Sequence, residues 1–478
     1  MAEWRMIDGY EMVIGLEVHV ELKTKTKIFC SCSTSFGAAP NTQCCPVCMG
    51  FPGTLPVLNK QVVHYAVKAG LATDCTIAKY SKQDRKNYFY PDLPKAYQIS
   101  QYDLPLCVGG HLTIETPAGT KNVGITRIHI EEDAGKLVHD QDKGTLIDCN
   151  RCGVPLIEIV SEPDMRTPQE AVAYLQKLRA IIAYTGISDC KMNEGSLRAD
   201  VNLSIHKPGE PFGTRTEMKN LNSFISVQKA IEEEYRRQVE AVKKGEEIVQ
   251  ETRRFDQTTG RTTSMRRKED ANDYRYFPDP DLAPIVLAPE LVKALGEELP
   301  QLPDARKAAY MRDFGLTSYT AEQLVSDKAL ADYFETAAKS TTAVKQLANL
   351  MISEVFRLLE GEETNIPIAP AHLAGIATLV EAGTINSGAA KKTVAALWTN
   401  DEDPEAFIDR MNLRQLNDAE LLNGYVKQAI AEHPVMVAGY RKGKLGLKKA
   451  LMGAAMGLSE GMANPVLLQK LVDEALDQ

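Results

Sequence analysis

The sequence predicts an α+β protein, with an N-terminal region built on an antiparallel sheet and two all-helical regions after it. In roughly the first 290 of the 478 residues, polar and apolar residues alternate in several stretches, as they do in half-buried strands. Beyond that point the alternation disappears and the spacing of apolar residues becomes helical. Because a chain of this length is too long for one compact core, we expect domains at 1–292, 293–410 and 411–478.

Three predicted strands carry polar side chains on one face only. Residues 15–22 read GLEVHVEL, residues 126–133 read TRIHIEED, and residues 198–206 read RADVNLSIH. Since strand side chains alternate between two faces, each stretch has an apolar face and a face of acids, histidine and arginine. If these strands share a sheet, they form a carboxylate-rich floor suited to metal ions and phosphates. The alternative is a sheet with one solvated face, which usually carries charge. The acids and histidines on these polar faces include Glu17, His19, Glu131 and Asp200.

Four cysteines have the spacing of a zinc knuckle. Cys30 and Cys32 form a C-x-C pair, and Cys45 and Cys48 form a C-x2-C pair across a loop rich in glycine, proline and asparagine. Four thiolates around one ion leave no open position, so we expect a structural zinc site. Cys44 is a spare neighbour or an alternative ligand, and a disulfide is the weaker alternative in a reducing compartment.

A second C-x2-C pair has no obvious partner pair. It is formed by Cys149 and Cys152. The pair is interpreted either as a metal or redox site or as two small residues in a turn.

The composition is that of an ordinary globular protein that has no general affinity for nucleic acid. The formal net charge is −9, so any RNA contact must use local basic patches. The N-terminus does not resemble a signal peptide, and no apolar run approaches the roughly 18 residues of a membrane span. We therefore expect a cytoplasmic protein without a membrane partner.

Familiar nucleotide-binding motifs are absent from the sequence. It contains no Walker loop, no G-x-G-x-x-G after a strand and no protein-kinase signature. If the protein uses ATP, the phosphates are expected to be held by Mg²⁺ on the carboxylate floor. His19 is an unusual Mg²⁺ ligand, so it would either orient a phosphate or bind Mn²⁺.

Two further segments have the composition of a phosphate-binding or RNA-binding surface. Residues 82–103 interleave basic and aromatic side chains, which either bind phosphates and stack on bases or anchor a loop to the core. Residues 215–224 form another alternating stretch that presents Arg215, Glu217 and Lys219 on one face. The first segment contains Lys82, Arg85, Lys86, Tyr88, Phe89, Tyr90, Lys95, Tyr97 and Tyr102.

Helices are predicted from capping residues and apolar spacing. Thr167 caps a helix that begins at Pro168 and ends at Gly186, and a second helix is expected over 226–244. In the second half of the chain, helices are expected over 305–312, 320–339 and 341–360, followed by a small bundle over 412–478. The bundle carries a basic cluster that either meets phosphates or is a solvated face: Arg441, Lys442, Lys444, Lys448 and Lys449.

Long motifs in a fixed order give the sequence a close resemblance to a known family. They are GLEVHVEL (15–22), DRKNYFYPDLPKAYQISQ (84–101), RIHIEEDAGK (127–136), PLIEIVSEPD (155–164), GSLRADVN (195–202), EMKNLNSF (217–224), QETRRFD (250–256) and YRYFPDPDL (274–282). Through essentially its whole length the chain resembles the B-subunit (GatB) family of glutamyl/aspartyl-tRNA amidotransferases. The resemblance implies an N-terminal cradle like that of glutamine synthetase and guanido kinases, and a YqeY-like tail domain that holds tRNA.

The resemblance also implies an activity and a set of partners. The B subunit would phosphorylate the side-chain carboxylate of misacylated Glu-tRNA(Gln) or Asp-tRNA(Asn) with ATP. Ammonia from glutamine, made by the amidase (A) subunit, would then displace the phosphate, and the small (C) subunit would hold the other two together. No amidase signature is visible in this chain, so we do not expect it to release its own ammonia.

The expected site residues follow from the resemblance. Candidates for catalysis are Glu17, His19, Glu131, Glu132, Asp200 and Glu217, of which all but Glu132 are expected Mg²⁺ ligands. Candidates for phosphate binding are Arg127, Lys219, Lys82 and Arg85. Candidates for tRNA binding are Tyr88, Tyr90 and Lys95 together with the basic cluster of the tail. Glu131 and Glu132 are adjacent, so a regular strand turns only one of them to the floor unless it carries a bulge.

Two other functions compete with this one. A glutamine-synthetase-like ligase that acts on a free amino acid would need no RNA and would give the tail no role. A zinc-containing, non-catalytic RNA-binding scaffold would tolerate Glu17→Gln and Glu217→Gln. In addition, the tail departs from the family pattern: Leu458, Ser459 and Glu460 stand where the family usually carries lysines, just before its Ala-Asn-Pro.

Overall fold

The computed structural model describes residues 6–140, 142–267, 274–359 and 364–476. The chain packs into two units, Met1–Leu302 and Pro303–Gln478. The first unit mixes strands and helices and the second is helical, as the sequence predicts. Among the described residues, no helix is both long enough and apolar enough to cross a membrane.

The first unit contains sixteen strands and four helices within its described residues. The strands are β1 (Glu11–Glu21), β2 (Thr76–Ile77), β3 (Tyr80–Ser81), β4 (Asp84–Asn87), β5 (Tyr97–Ser100), β6 (Cys107–Thr116), β7 (Gly119–Glu132), β8 (Lys136–Asp140), β9 (Gly144–Asp148), β10 (Pro155–Ser161), β11 (Leu197–His206), β12 (Thr216–Lys219), β13 (Glu251–Asp256), β14 (Arg261–Arg267), β15 (Phe277–Pro278) and β16 (Ile285–Val286). The helices are α1 (Lys60–Ala72), α2 (Pro168–Thr185), α3 (Phe224–Lys243) and α4 (Pro289–Glu297).

Nine of these strands form one sheet in the order β14-β13-β12-β11-β1-β10-β7-β6-β2. Every neighbouring pair is antiparallel except β12 and β13. The three strands predicted from alternation are therefore β1, β7 and β11, with β10 between β1 and β7. A separate three-stranded sheet has the order β15-β4-β5.

The apolar face of the large sheet is covered by helices α1, α2 and α3. Leu16, Val18 and Val20 of β1 are fully buried there, which leaves the alternate residues of β1 for the other face. Helix α2 begins and ends as predicted. The Thr167 side chain accepts a hydrogen bond from the Glu170 amide at 3.1 Å, and Gly186 ends the helix in the left-handed region at φ 72°.

The second unit is built from helices around two apolar cores, one formed by residues 310–408 and the other by residues 422–476. The segment 320–339, predicted as one helix, is two helices, because Asp327 caps a new helix by accepting hydrogen bonds from the Ala329 and Leu330 amides. The predicted helix over 341–360 contains a π-helical segment, and residue 360 lies outside the described residues. The predicted domain boundary at 292 falls inside α4, where Leu295 joins the core of the first unit.

The helices of this unit follow in chain order. They are α5 (Pro303–Asp313), α6 (Ser318–Val325), α7 (Lys328–Ala338), α8 (Val344–Leu350), a π-helical segment (Met351–Val355), α9 (Phe356–Leu358), α10 (Pro370–Glu381), α11 (Ser387–Thr399), α12 (Pro404–Arg410), α13 (Ala419–Glu432), α14 (Pro434–Arg441), α15 (Leu447–Leu458) and α16 (Pro465–Leu476).

A buried ion-pair network around Glu234 allows a prediction of how one substitution changes the stability of the protein. The Glu234 carboxylate has no exposure and lies 2.6 Å from Arg237 Nη2 and 3.2 Å from Arg253 Nε. We expect Glu234→Gln to lower the free energy of unfolding by about 3 kcal/mol, because it removes the buried carboxylate that Arg237 and Arg253 share and leaves Arg253 with Glu251 alone. Glu233→Gln is the control, since it breaks the exposed pair with Arg236 at 3.3 Å and should cost less than about 1 kcal/mol. Equal denaturant midpoints for the two variants would contradict this account.

Candidate active-site cleft and cysteine cluster

Strand pairing brings the polar faces of four strands together on one surface, the floor. His19 of β1 is opposite Arg198 of β11 on one side and Glu158 of β10 on the other. Glu158 is in turn opposite His129 of β7. The register places Glu17 opposite Asp200 in the same way. The three predicted strands therefore share a sheet, with a fourth, β10, between two of them.

At the centre of the floor, two histidines and two glutamates form a compact cluster. His129 Nε2 lies 3.1 Å from a Glu131 oxygen and 3.3 Å from a Glu158 oxygen, and His19 Nε2 lies 3.7 Å from Glu158. One ligand atom from each of His19, Glu131 and Glu158 lies within 4.8 Å of the others, so these three could hold a metal ion. An imidazole with two carboxylates fits a divalent cation of the Mg²⁺ or Mn²⁺ kind.

The histidine inside the cluster balances its negative charge. Burial alone would lower the pKa of His129, but Glu158 and Glu131 outweigh burial and raise it to about 9. Burial would raise the pKa of both glutamates, and contact with His129 lowers the pKa of each instead. The cluster is therefore held as a buried imidazolium between two carboxylates.

Beside this cluster, a second group joins β1, β11 and β12. Lys219 Nζ lies 2.6 Å from Asp200 and 3.1 Å from Glu217, and these two carboxylates raise its pKa although burial opposes them. The Asn202 side chain donates a hydrogen bond of 2.9 Å to Glu17. Burial, together with the charges of Glu158 and Glu217, raises the pKa of Glu17. The group supplies three carboxyl groups and one ammonium to the floor.

At one end of the floor, an arginine holds a carboxyl pair. Arg198 Nη2 lies 2.9 Å from Asp133, which also shares a hydrogen bond with Glu21. Burial and the Asp133 charge raise the pKa of Glu21 to about 8. The pair therefore retains a proton at neutral pH.

The wall facing the floor contributes a lysine and aromatic rings. A cleft of about 630 Å³ lies over the floor and is lined by His19, Glu131 and Lys219 and also by Lys86 and Tyr88. The Lys86 ammonium lies 5.0 Å from the centre of the Tyr274 ring. Burial would lower the pKa of Lys86, but the charges of Glu131 and Glu158 raise it. A half-buried lysine thus lines the same cleft as the acidic floor.

Two expected site residues lie together on the other side of β7. Strand β7 is regular to its end, where Glu132 pairs with Pro155, so Glu131 faces the floor and Glu132 does not. Glu132 forms an ion pair with Lys95 and accepts a hydrogen bond of 2.8 Å from the Ile99 amide. The structure therefore separates Glu132 from the other catalytic candidates, and Lys95 is engaged with a carboxylate.

Lys82 and Arg85, expected to bind phosphates, form ion pairs away from the floor. Lys82 pairs with Asp84 and Asp103, and Arg85 Nε lies 2.8 Å from Asp279. Because side chains alternate along β4, it is the next residue, Lys86, that reaches the cleft.

The remaining candidates of this unit have different surroundings. Arg127 lies on β7 in step with His129 and donates a hydrogen bond of 3.3 Å to the Tyr102 carbonyl. Tyr88 lines the cleft, and Tyr90 is exposed.

The predicted zinc cysteines converge. One sulfur from each of Cys30, Cys32, Cys45 and Cys48 lies within 4.8 Å of the other three, so the four could hold a metal ion. Zn–S bonds of about 2.3 Å in a tetrahedron require sulfurs about 3.8 Å apart, and the Cys45 and Cys48 sulfurs are 4.0 Å apart. Cys44 does not belong to this group. The donor set is compatible with structural zinc.

The second C-x2-C pair forms a turn. The Cys152 amide donates to the Cys149 carbonyl at 3.1 Å, and both side chains are buried. Within the described residues, neither cysteine belongs to a group of three or more metal-type ligands.

The basic cluster of the tail is exposed except at one position. Arg441, Lys442, Lys444 and Lys449 are exposed around the end of α14 and the start of α15. Lys448 instead forms an ion pair with Asp473 of α16. The cluster therefore offers four cations to a solvent-side anion.

The sequence does not single out two residues of the site, Glu158 of the cluster and Lys86 of the cleft. Glu158 is the single acid in the apolar run PLIEIV, and such an acid in a buried strand is the available signal. In the sequence Lys86 is only one of several basic residues, because a four-residue strand does not reveal which of its faces is inside.

The fold and the cleft define an α+β protein with a carboxylate-rich floor, a cluster of side chains that could hold a metal ion, and lysines that line the cleft. Comparison with known proteins shows to which family the chain belongs. Residues 12–293 match the family model described as the GatB/GatE catalytic domain, and residues 332–476 match the one described as the GatB domain. The chain belongs to the GatB family.

Relatives match along almost the whole chain. The B subunit of the aspartyl/glutamyl-tRNA(Asn/Gln) amidotransferase of Caldicellulosiruptor saccharolyticus is 54% identical over 477 residues, which is 98% of this chain and 99% of the relative. The protein of the same name from Geobacter sulfurreducens is 50% identical over 476 residues, with 98% and 99% coverage.

Proposed function

We propose that this chain is the B subunit of a tRNA-dependent amidotransferase, a glutamine-hydrolysing ligase. It activates the side-chain carboxylate of Glu-tRNA(Gln) or Asp-tRNA(Asn) with ATP and converts it to the amide with ammonia. The observation that carries the proposal is the His19–Glu131–Glu158 cluster at a cleft that Lys86 and Lys219 also line.

The reaction needs charge neutralisation above all. A carboxylate oxygen is a poor leaving group, so direct amidation is slow, whereas an acyl phosphate reacts readily with ammonia. Forming the acyl phosphate requires the γ-phosphoryl group and the carboxylate, both anions, to approach each other. A site for this chemistry must therefore supply positive charge on both sides of the reacting atoms.

The floor supplies ligands for a metal ion that would provide part of this positive charge. His19, Glu131 and Glu158 would hold a Mg²⁺ or Mn²⁺ ion, with Glu17, Asp200 and Glu217 as neighbouring carboxylates. When bound, the ion would neutralise phosphate oxygens of ATP and the charge that develops during transfer.

The protein's own cations act beside this site. Lys86 faces the floor from the opposite wall and would neutralise the incoming carboxylate or phosphate. Lys219 is held by Asp200 and Glu217, so its ammonium is pre-positioned for a phosphate oxygen. Asn202 fixes the orientation of Glu17. Arg127, on the same face of β7 as His129, is a further candidate for phosphate binding.

Partners would complete the reaction. This chain shows no amidase signature, so ammonia would come from the amidase (A) subunit of a multi-subunit complex that also contains the small (C) subunit.

The first unit would form a cradle of the glutamine synthetase and guanido kinase type. The YqeY-like tail would meet tRNA phosphates through its exposed cations, and Tyr88, which lines the cleft, and the exposed Tyr90 would contact the tRNA. The four-cysteine cluster would hold structural Zn²⁺, and a translation enzyme of this kind would act in the cytoplasm.

The test is phosphate release by the complex co-purified with its amidase and small subunits. Release of phosphate from ATP is expected with misacylated tRNA and not with free glutamate or aspartate. Turnover with a free amino acid would instead indicate the glutamine-synthetase-like ligase. No release with either substrate would make the chain a scaffold and overturn the proposal.

A further inference from the structure

A fully buried lysine adjoins the four-cysteine cluster. Lys27 has no exposed surface, and its amide donates to the Cys32 carbonyl at 3.0 Å, which places it inside the cysteine loop. Its ammonium lies 3.5 Å from the Cys48 sulfur and 3.3 Å from the Cys149 carbonyl. These two are the polar contacts of the ammonium within the part of the chain that the structure describes.

A buried ammonium needs a counter-charge, and within the described residues no carboxylate pairs with this one. Glu132 lines the same small cavity as Lys27, but it is paired with Lys95. A sulfur and a carbonyl dipole are therefore what balance the Lys27 charge. Leaving a lysine charged in such a place is costly unless a negative group lies beside it.

The four-cysteine metal site would instead carry an excess of negative charge. A divalent ion with four thiolates carries a net charge of about −2, and burial in a medium of low polarity penalises that charge. A cation in contact with one of the sulfurs offsets the penalty, and an N–H···S hydrogen bond fixes that sulfur's position. Lys27 provides both at Cys48.

We propose that Lys27 is the built-in counter-charge of the four-cysteine metal site and that it links the cysteine loop to the turn at residues 149–153. The link continues through the backbone, because the Ile28 amide donates to the Gly153 carbonyl at 2.9 Å and the Gly153 amide donates to the Asp133 carbonyl at 2.9 Å. Asp133 lines the cleft. The inference rests on the metal site and is independent of the proposed ATP chemistry.

Zinc affinity of the full-length protein tests the proposal. Zn²⁺-loaded wild type and variants are titrated with a chromogenic chelator, and the fold of each loaded variant is checked by circular dichroism. Lys27→Met keeps the length of the side chain without its charge, and Lys27→Gln keeps an N–H donor without the charge. Both are expected to bind zinc about 10–100-fold more weakly. Lys25→Met removes an exposed lysine two residues away and is expected to bind zinc as wild type does.

Several results would overturn the proposal. Wild-type affinity in Lys27→Met or in Lys27→Gln would remove the counter-charge role, and so would wild-type protein that binds no zinc. If both variants fail to fold, amine labelling of the wild type followed by mass spectrometry decides. Lys27 is expected to be unreactive with zinc bound and reactive after chelation, while Lys25 reacts alike in both states. A Lys27 reactivity that is independent of zinc would contradict the proposal.

Discussion

Glu158→Gln is expected to reduce tRNA-dependent phosphate release by about 10²–10³-fold while leaving the fold intact. The amide keeps the shape of the side chain but removes the negative charge that lies 3.3 Å from His129 and 3.7 Å from His19. A neutral ligand binds a divalent cation more weakly, so Mn²⁺ affinity, measured by electron paramagnetic resonance, should fall with the rate.

The same strand region offers a matched control for this variant. Glu162 follows β10, is exposed, and accepts a hydrogen bond from Thr126 at 2.7 Å, outside the cluster. Glu162→Gln should leave both phosphate release and Mn²⁺ affinity unchanged. A fully active Glu158→Gln protein would remove Glu158 from the proposed metal site.

How much of the floor is predictable from the sequence depends on whether polar and apolar residues alternate along each strand. Polar and apolar residues alternate along β1, β7 and β11, so the sequence reveals Glu17, His19, Glu131 and Asp200. β10 lies between β1 and β7, and Glu158 shares its face of the strand with Leu156 and Val160, so the strand reads as an apolar run. Pairing across strands, which a sequence does not display, is what brings Glu158 to the cluster.

Other differences have equally local causes. The orientation of Glu132 follows from the regularity of β7, since a bulge would have turned it to the floor and none is present there. The tail cluster loses Lys448 to Asp473, a residue far along the chain on α16, and such tertiary ion pairs leave no trace in the spacing of charges. The break at Asp327 is readable in principle, because aspartate is a favoured helix cap.

Lys86→Met is expected to lower tRNA-dependent phosphate release by about 10²–10³-fold, an effect comparable to the loss of Glu158. Within the described residues, no carboxylate forms an ion pair with Lys86; its ammonium lies beside the Tyr88 and Tyr274 rings, 5.9 Å and 5.0 Å from their centres. The rings hold the ammonium at the cleft, and Glu131 and Glu158 act on it through their charges without forming an ion pair, so an anion that enters the cleft can pair with it. Methionine keeps the packing against the rings and removes the charge.

The kinetic pattern distinguishes two roles for this lysine. If the ammonium stabilises the charge that develops as the two anions meet, kcat falls and the KM for ATP changes little. If it only binds one substrate, the KM for ATP or for the aminoacyl-tRNA rises while kcat is retained. Lys79→Met, at a position before β4 and outside the cleft lining, is the control and should behave as wild type. We expect the first pattern, because Lys86 faces the cluster that would hold the metal ion, so positive charge would lie on both sides of the transferring phosphoryl group.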